Sequence, residues 1–175
     1  MKTYLSADPH LGHDEIIRYC KRPFRNSQIQ TREIVKRHNN VVGHDDTTIW
    51  IGDFAMAGPD RATFVAGIMN RLNGNHILVL GNHDQIHPLK LVDIGFQSVH
   101  TSYTMEYKGH QFVMAHDPSV WTVVSNWDPR PIFLCGHVHD LFKSIKEKSI
   151  VNVGVDVWDF TPITFDQVLK ELGYE

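Results

Sequence analysis

Apolar and polar residues alternate along the chain in a way that predicts a series of short strands separated by polar segments. Seven runs are rich in β-branched and aromatic residues, which favours strands. These runs cover residues 2–7, 47–52, 76–81, 96–107, 110–115, 130–135 and 149–155. Apolar residues recur at helical spacing over 28–43 and 60–72, and a short helix is expected at 165–172.

The order of these elements predicts the fold class. Strands and helices alternate in the first half, which implies parallel pairing, whereas strands dominate the second half. Lys108 and Gly109 are candidates for a hairpin turn between two of the later strands. We therefore expect an α/β fold in which helices flank two packed sheets. Because no repeat or linker interrupts the pattern, we expect one domain over residues 1–175.

Composition and charge narrow the classes of protein. Of the 175 residues, 42% are hydrophobic and 21% are charged, which is ordinary for a globular protein. The net charge of −3 argues against a groove for duplex nucleic acid. Cys20 and Cys135 offer neither zinc spacing nor a disulfide framework, so a reducing, cytoplasmic setting is expected. No run suggests a signal peptide or a membrane span, and the oligomeric state is left open.

Polar clusters follow the predicted strands at the point where each strand ends. In parallel α/β sheets the carboxyl ends of the strands form the edge where ligands bind. The residues concerned are Asp8 and His10 after the first strand, Asp53 after the second, Asn82 and His83 after the third, His116 after 110–115, and His137 and His139 after 130–135. We expect these side chains to converge on one site.

The triplet Gly-Asn-His occurs twice, at 74–76 and 81–83. Asn75 and Asn82 are seven residues apart, which corresponds to about 23 Å along a strand, so the two copies cannot share a site. Only the second copy lies at the edge where the other clusters are expected. The first copy is interpreted as a turn into the strand, with His76 at the strand start or on the surface.

The donor types at this edge indicate metal chemistry. Imidazole, carboxylate and amide ligands without thiolate suit first-row divalent ions better than Mg²⁺ or Ca²⁺. Seven ligands are too many for one ion and suit two ions that share a carboxylate, an arrangement used for displacement at phosphorus. We expect two divalent transition-metal ions, with Mn²⁺ favoured over Fe²⁺, Ni²⁺, Zn²⁺ or Co²⁺.

The ordered set of motifs resembles the calcineurin-like metallophosphoesterase superfamily. The motifs are DPH (8–10), GD (52–53), GNHD (81–84), His116 and GHVH (136–139). Segments 10–24 and 152–163 are similar to those of a small single-domain branch found in bacteria and phages. The resemblance implies the metallo-dependent phosphatase fold, a four-layer αββα sandwich of two mixed sheets flanked by helices.

The resemblance also implies a role for each residue. Asp8, His10 and His139 would hold one ion, Asn82, His116 and His137 would hold the other, and Asp53 would bridge them. His83 would be the general acid that protonates the leaving oxygen, while a metal-bound hydroxide attacks phosphorus.

Three positions depart from patterns known in related families. No tyrosine stands at 54–58, which argues against a purple acid phosphatase. Met56 stands where protein phosphatases have an aspartate that supports the catalytic histidine, so His83 lacks that partner. Asp117 stands where the small branch often has an aromatic residue, which bears on the shape of the substrate pocket.

Several residues keep two interpretations. His13 either contacts substrate or caps a helix that begins near Asp14, and Arg22 and Arg25 either bind a substrate phosphate or lie in a solvated loop. Asp84 either orients a neighbour or ends a turn, and the second interpretation is favoured. The sequence favours a phosphodiesterase acting on a small or flexible phosphoester, with nucleotide-derived esters among the expected substrates. A phosphomonoesterase and a scaffold of the same fold without catalysis are the alternatives.

Overall fold

Two facing β-sheets form the centre of the computed structural model, which describes residues 1–174. The strands are β1 (Thr3–Ser6), β2 (Thr47–Ile51), β3 (Asn75–Val79), β4 (Ser98–His100), β5 (Tyr103–Tyr107), β6 (His110–Met114), β7 (Ile132–Cys135), β8 (Ser144–Ile145), β9 (Ile150–Asn152) and β10 (Ile163–Thr164). The first sheet has the order β10-β1-β2-β3-β4 and the second has the order β5-β6-β7-β9-β8.

Both sheets are mixed. In the first sheet β1 to β4 are parallel and β10 is antiparallel. In the second sheet β6, β7 and β9 are parallel, while β5 and β8 are antiparallel edge strands. Seven parallel strands therefore direct their carboxyl ends towards the same edge of the sandwich.

Helices cover the outer faces of the sheets. They are α1 (Glu15–Tyr19), α2 (Ser27–Val41), α3 (Arg61–Met69), α4 (Pro88–Ile94), α5 (Trp121–Val124) and α6 (Phe165–Leu172). The helices α2, α3 and α4 pack on the first sheet, and α5 packs on the second. The apolar face of α6 joins the core between the sheets. This arrangement confirms the predicted α/β class of two mixed sheets with flanking helices.

Strand periodicity places alternate side chains of β2 in different layers. Ile49 and Ile51 are buried between the two sheets. Trp50, which lies between them in sequence, points to the opposite face and packs under the helices. The uninterrupted apolar character of β2 follows from burial on both faces, as is usual for a central parallel strand.

Local side-chain bonds fix where the longer helices begin. Asn26 precedes α2, and its side-chain oxygen accepts the N–H of Ile29 at 2.9 Å. Thr164 and Gln167 form a capping box at the start of α6, and Gly173 in the left-handed region ends that helix. The predicted helix at 165–172 is thereby confirmed.

The predicted strand at 96–107 is wrong, because this run contributes to both sheets. His100 pairs beside Val79 in the first sheet, whereas Tyr103 pairs with Met114 in the second. The chain crosses between the sheets at residues 101–102. Both sides of the crossing have strand-forming residues, so the composition contains no break at that point. The predicted hairpin turn at Lys108 and Gly109 is confirmed between β5 and β6.

The first Gly-Asn-His copy leads into β3, as expected. Gly74 has φ +90° and Asn75 is the first residue of the strand. His76, however, is buried, so its interpretation as a surface residue is wrong. Its Nδ1 accepts a hydrogen bond from the indole N–H of Trp50 at 3.2 Å.

Two further expectations are addressed by the structure. Cys20 and Cys135 are both free thiols, in agreement with the absence of a disulfide framework in the sequence. Within residues 1–174, no helix has both the length and the apolar character needed to cross a membrane.

Two histidines beneath the helices make folding sensitive to acid. Burial lowers the pKa of His38 to about 4. Burial, together with the neighbouring His38, lowers the pKa of His76 to about 3. Both values lie below the ordinary histidine value, so below about pH 6.5 the unfolded chain binds more protons than the folded chain. The stabilisation is therefore complete above that pH and is lost progressively as the pH falls towards 4.

We expect the substitution His38→Gln to reduce the loss of stability on acidification. In the wild type, each buried histidine should lower the free energy of unfolding by about 1 kcal/mol as the pH falls from 6 to 5. Urea unfolding at several pH values, in the presence of a chelator, measures this slope. His44→Gln is the matched control because His44 is exposed. Equal slopes in the wild type and His38→Gln would contradict the prediction.

Candidate metal centre

The predicted ligands converge where the parallel strands of both sheets end. Among the described residues, three groups of side chains have ligand atoms that lie within 4.8 Å of one another. One of them contains Cys20, His139 and Asp156, and the other two, called the first and second groups, consist of predicted ligands. The first group contains Asp8, His10 and His139, and the second contains Asp53, His116 and His137. Residues far apart in sequence thus come together because strands from both sheets point to this edge.

Asp53 lies between the two groups. Its Oδ2 is 3.4 Å from Nε2 of His10 and 3.3 Å from Nε2 of His116. Asn82 belongs with the second group, since its Oδ1 is 3.1 Å from Nε2 of His116 and 3.0 Å from Nδ1 of His137. These distances bring the polar atoms of all five side chains close enough to surround shared cations.

The orientation of His116 is fixed by the backbone. Its Nδ1 donates to the carbonyl oxygen of Ile51 at 2.9 Å, which leaves Nε2 facing Asp53 and Asn82. Histidine ligands of metals commonly donate their other ring N–H in this way.

His10 gives an independent indication that a group belongs here. It is buried, and neither ring nitrogen has a hydrogen-bond partner among the described residues. Buried polar atoms are rarely left without partners, because the cost is about 1–3 kcal/mol each. A metal ion beside Asp8 and His139 would satisfy one of these nitrogens, so the residues present fit a metal.

The electrostatics of the site favour cations. Burial raises the pKa of Asp8 to about 6, against the opposing charges of His116 and His139. Burial lowers the pKa of His10 to about 3, so its imidazole is neutral, the form that ligates metals. Burial also disfavours charge on Asp53 and His116. Their mutual contact nevertheless holds the pKa of Asp53 below and that of His116 above their ordinary values.

Two motif glycines are required because other groups occupy the space of a side chain. Gly52 has φ +85°, and a Cβ there would overlap the imidazole of His116. A Cβ at Gly81 would overlap Asp53. The glycine in each motif therefore allows a ligand from another loop to approach the backbone closely.

The ligand loops also carry backbone strain. Ten non-glycine residues of the described chain have positive φ, and five of them are predicted ligands. These five are Asp8, His10, Asp53, His137 and His139, with φ between 45° and 70°. Such conformations cost of order 1–3 kcal/mol each and concentrate at functional sites.

His83 lies at the rim of the first group, and its backbone is held on both sides. Its ring contacts that of His10, with 5.6 Å between centroids. Its N–H donates to Oδ1 of Asp53 at 2.8 Å, and Arg61 donates to its carbonyl oxygen at 2.9 Å. Within residues 1–174 no carboxylate hydrogen-bonds to the His83 ring, in keeping with methionine at position 56.

Asp84 joins the loops that follow β2 and β3. Its Oδ2 accepts the N–H groups of Gly81 and Asp53, both at 2.8 Å, and its Oδ1 accepts that of Phe54 at 2.9 Å. The bond to Gly81 ends a turn, and the bonds to Asp53 and Phe54 fix a neighbouring loop. Both interpretations of Asp84 therefore apply.

Arg22 differs from both of its predicted interpretations. The solvated-loop interpretation is wrong, because the side chain is buried. Its guanidinium binds both carboxylate oxygens of Asp156 at 2.7 Å and the carbonyl oxygens of Asp8 and Pro9 at 2.8 and 3.1 Å. The remaining N–H reaches Gln30 at 3.2 Å. All five N–H groups thus have protein partners, which leaves none for a substrate phosphate.

Sequence reasoning missed the residues that support His139. Oδ2 of Asp156 is 3.4 Å from Nδ1 of His139, and the amide of Asn152 donates to the His139 carbonyl at 2.8 Å. Asn152 is the last residue of the parallel strand β9 and Asp156 follows that strand, and both lie in segment 152–163. The sequence indicated that segment only through its family resemblance, because neither residue belongs to a metal-ligand motif.

Three other residues lie around the site. His13 packs beside His10, with 5.5 Å between ring centroids, and its Nε2 is 3.2 Å from a carboxylate oxygen of Glu15. The helix α1 begins after Asp14, which makes no side-chain cap. Arg25 is exposed, and Asp117 lies beside the second ligand group.

We expect Asp156→Asn to weaken metal binding, because the neutral amide supports His139 less well and leaves the buried charge of Arg22 without its partner. Loss of such a supporting carboxylate typically costs 10–100-fold in metal affinity. Calorimetric titration with Mn²⁺ measures the affinity, and circular dichroism checks that the variant is folded.

Asp166→Asn is the control for this experiment, because Asp166 is an exposed carboxylate that pairs with Lys108. It should bind Mn²⁺ as the wild type does. Arg22→Lys retains the charge but loses the two-point contact, so it should show a smaller loss. Unchanged affinity in a folded Asp156→Asn variant would contradict the assigned role.

Comparison with known proteins identifies relatives of the chain. No family model matches the chain. An uncharacterized protein of Methanocaldococcus jannaschii, MJ1445, is 32% identical over 174 residues, which cover 97% of this chain and 90% of that protein. The Gene 66 protein of Mycobacterium phage L5 is 28% identical over 186 residues, covering 89% and 87% respectively.

Solved structures share the fold. A protein of unknown function from Aquifex aeolicus, AQ665, has a TM-score of 0.73 at 22% identity and covers 97% of this chain and 98% of its own. An archaeal phosphodiesterase has a TM-score of 0.54 at 21% identity, covering 88% and 82%. Because MJ1445 is 32% identical to the chain over nearly its whole length, the chain belongs to the same family as MJ1445, and it shares its fold with the solved structures.

Proposed function

We propose that the protein is a metal-dependent phosphoesterase, and more specifically a phosphodiesterase that uses two divalent transition-metal ions. One observation carries the two-ion proposal. Oδ2 of Asp53 lies 3.4 Å from a nitrogen of the first ligand group and 3.3 Å from a nitrogen of the second. A carboxylate in this position suits two neighbouring cations, which form a common centre for phosphoester hydrolysis.

The proposed ligand sets follow the two groups of side chains. Asp8, His10 and His139 would hold one ion, Asn82, His116 and His137 would hold the other, and Asp53 would contact both. Mn²⁺ is the favoured ion, with Fe²⁺, Ni²⁺, Zn²⁺ and Co²⁺ as alternatives that suit the same nitrogen and oxygen donors. When bound, such ions act as Lewis acids and make water a stronger nucleophile at neutral pH.

Charge supports an anionic substrate. Two divalent ions bring four positive charges, and Asp8 and Asp53 supply two negative charges. The excess positive charge favours an anionic phosphoester over a neutral ester.

His83 is proposed to give its proton to the oxygen that leaves phosphorus. It contacts the first ligand group through His10, and its partly exposed ring is accessible to a substrate. The bonds of its backbone to Asp53 and Arg61 orient it without a carboxylate partner. His13 and Arg25 are proposed as additional substrate contacts.

The hydrogen bonds that Arg22 makes to protein acceptors favour a diester over a monoester as the substrate. A monoester carries close to two negative charges at neutral pH and needs more cationic donors than a diester, which carries one. The guanidinium nearest to the first ligand group is fully occupied by protein acceptors. The archaeal relative in fold is also a phosphodiesterase. The presence of His83 and every predicted ligand favours an enzyme over a non-catalytic scaffold.

We expect bis-p-nitrophenyl phosphate to be hydrolysed in the presence of Mn²⁺ and not after chelation. Asp53→Ala and His137→Ala should abolish turnover, because each removes a ligand, while circular dichroism remains that of a folded protein. Parallel assays with p-nitrophenyl phosphate compare diester with monoester. Turnover at the wild-type level in either folded variant would contradict the two-ion proposal, and faster monoester hydrolysis would contradict the diester assignment.

His83→Gln should lower kcat most for the substrates whose leaving oxygen most needs a proton. General acid catalysis typically contributes about 10²–10⁴-fold, and an ester with a good leaving group needs it least. We therefore expect a large loss of kcat with diphenyl phosphate and a smaller loss with bis-p-nitrophenyl phosphate. His87→Gln is the control because His87 is exposed and lies outside the site. Equal losses with both esters would rule out His83 as the acid.

A further inference from the structure

A small cavity adjoins the second ligand group. Its volume is about 200 Å³, and Asn82, His116 and His137 contribute to its wall. The rest of the wall includes the apolar side chains of Leu80 and Val120. Because the cavity meets the proposed metal centre directly, a group attached to phosphorus would enter it. Its volume is below the usual 300–1,000 Å³ of drug-sized pockets, which suits a group as small as one sugar.

The cavity and His83 lie on different parts of the site. The His83 ring contacts His10 of the first ligand group, whereas residues of the second group line the cavity. An ester oxygen that accepts a proton from His83 therefore lies on the first side. The group in the cavity is the one that remains bonded to phosphorus after hydrolysis.

Asp117 gives the cavity its chemical character. The residue lines the cavity, and its Oδ1 accepts the N–H of Ser119 at 2.8 Å, which fixes the carboxylate. Asp117 is exposed, its Oδ2 has no hydrogen bond among the described residues, and no lysine or arginine lines the described cavity. An ionised carboxylate only accepts hydrogen bonds and repels other anions. Next to Asp117, a group that donates hydrogen bonds and carries no negative charge of its own is therefore favoured.

We propose that this cavity binds an uncharged, hydroxyl-bearing group of a phosphodiester, with Asp117 accepting hydrogen bonds from its hydroxyl groups. The proposal rests on the proposed phosphodiesterase function and specifies its substrate class. Ribose of a nucleotide ester and glycerol share this chemistry. The charge of Asp117 disfavours esters that bring a second phosphate next to it.

Specificity can be measured with three p-nitrophenyl phosphodiesters that differ in the group that stays on phosphorus. These carry 5′-linked uridine, 5′-linked 2′,3′-dideoxyuridine, or glycerol. For the wild type with Mn²⁺, kcat/KM should be about tenfold higher for uridine than for dideoxyuridine, as expected when a hydrogen bond to a charged group is lost. The glycerol ester shows whether the cavity recognises ribose or any polyol. A kcat/KM equal to that of the uridine ester indicates recognition of polyols, and a much lower kcat/KM indicates recognition of ribose. Both results support the proposal.

Substitutions test whether Asp117 is responsible. In Asp117→Ala, the ratio of kcat/KM between the uridine and dideoxyuridine esters should fall close to one. In Asp117→Asn, a uridine ester with an added 3′-phosphate should be hydrolysed at least fivefold better, relative to the uridine ester, than by the wild type. Each ratio compares two substrates with one preparation, so partial unfolding does not affect it. Glu106→Gln, an exposed carboxylate variant on β5, should retain both wild-type ratios.

Two outcomes would overturn the proposal. A uridine-to-dideoxyuridine ratio near one in the wild type would remove the evidence for recognition, and a wild-type ratio in Asp117→Ala would assign it to another residue. Both outcomes occur in an enzyme that still hydrolyses bis-p-nitrophenyl phosphate. If no phosphoester is hydrolysed at all, the proposed function fails and the substrate proposal fails with it.

Discussion

The carboxylate of Asp8 connects the two sheets at the edge on which the whole site depends. It follows β1 in the first sheet and accepts the backbone N–H of His137, which follows β7 in the second sheet, at 2.8 Å. Backbone bonds between Ala7 and residues 153 and 155 reinforce the same contact. Because the two ligand groups contain residues from both sheets, they form only when this edge is closed. The proposed metal ions would therefore be held by the junction between the sheets rather than by either sheet alone.

Much of the site could be predicted because the ligands obey a simple geometric rule. Asp53, Asn82 and His116 each follow an apolar strand, and parallel strands end at one edge. The same rule distinguished the two Gly-Asn-His copies, since a strand separates them. No comparable rule applied to Arg22, because its sequence neighbours resemble a surface loop and its buried partner lies 134 residues away. The role of Asp156 could not be predicted for the same reason. The crossing between β4 and β5 could not be predicted because the composition does not change there.

Rigid support and strain are combined in the loops that present the ligands. Five predicted ligands adopt positive φ, which the isolated loops would not favour. Asp84 binds three backbone N–H groups, and Arg22 binds two carbonyl groups of the first loop, so buried polar side chains hold these conformations. The ligands are thereby positioned before any ion arrives. Preorganisation of this kind reduces the structural change that binding requires.

The crossing between β4 and β5 has an evolutionary consequence. Thr101 belongs to this two-residue connection and also lines the cavity beside the second ligand group. The connection lies outside the paired residues of both sheets, so insertions there would leave the strand register and the ligands in place. Its length and side chains can therefore diversify while the edge that carries the ligand groups is retained. Relatives of this protein would change the cavity beside the ligand groups most readily through this short connection.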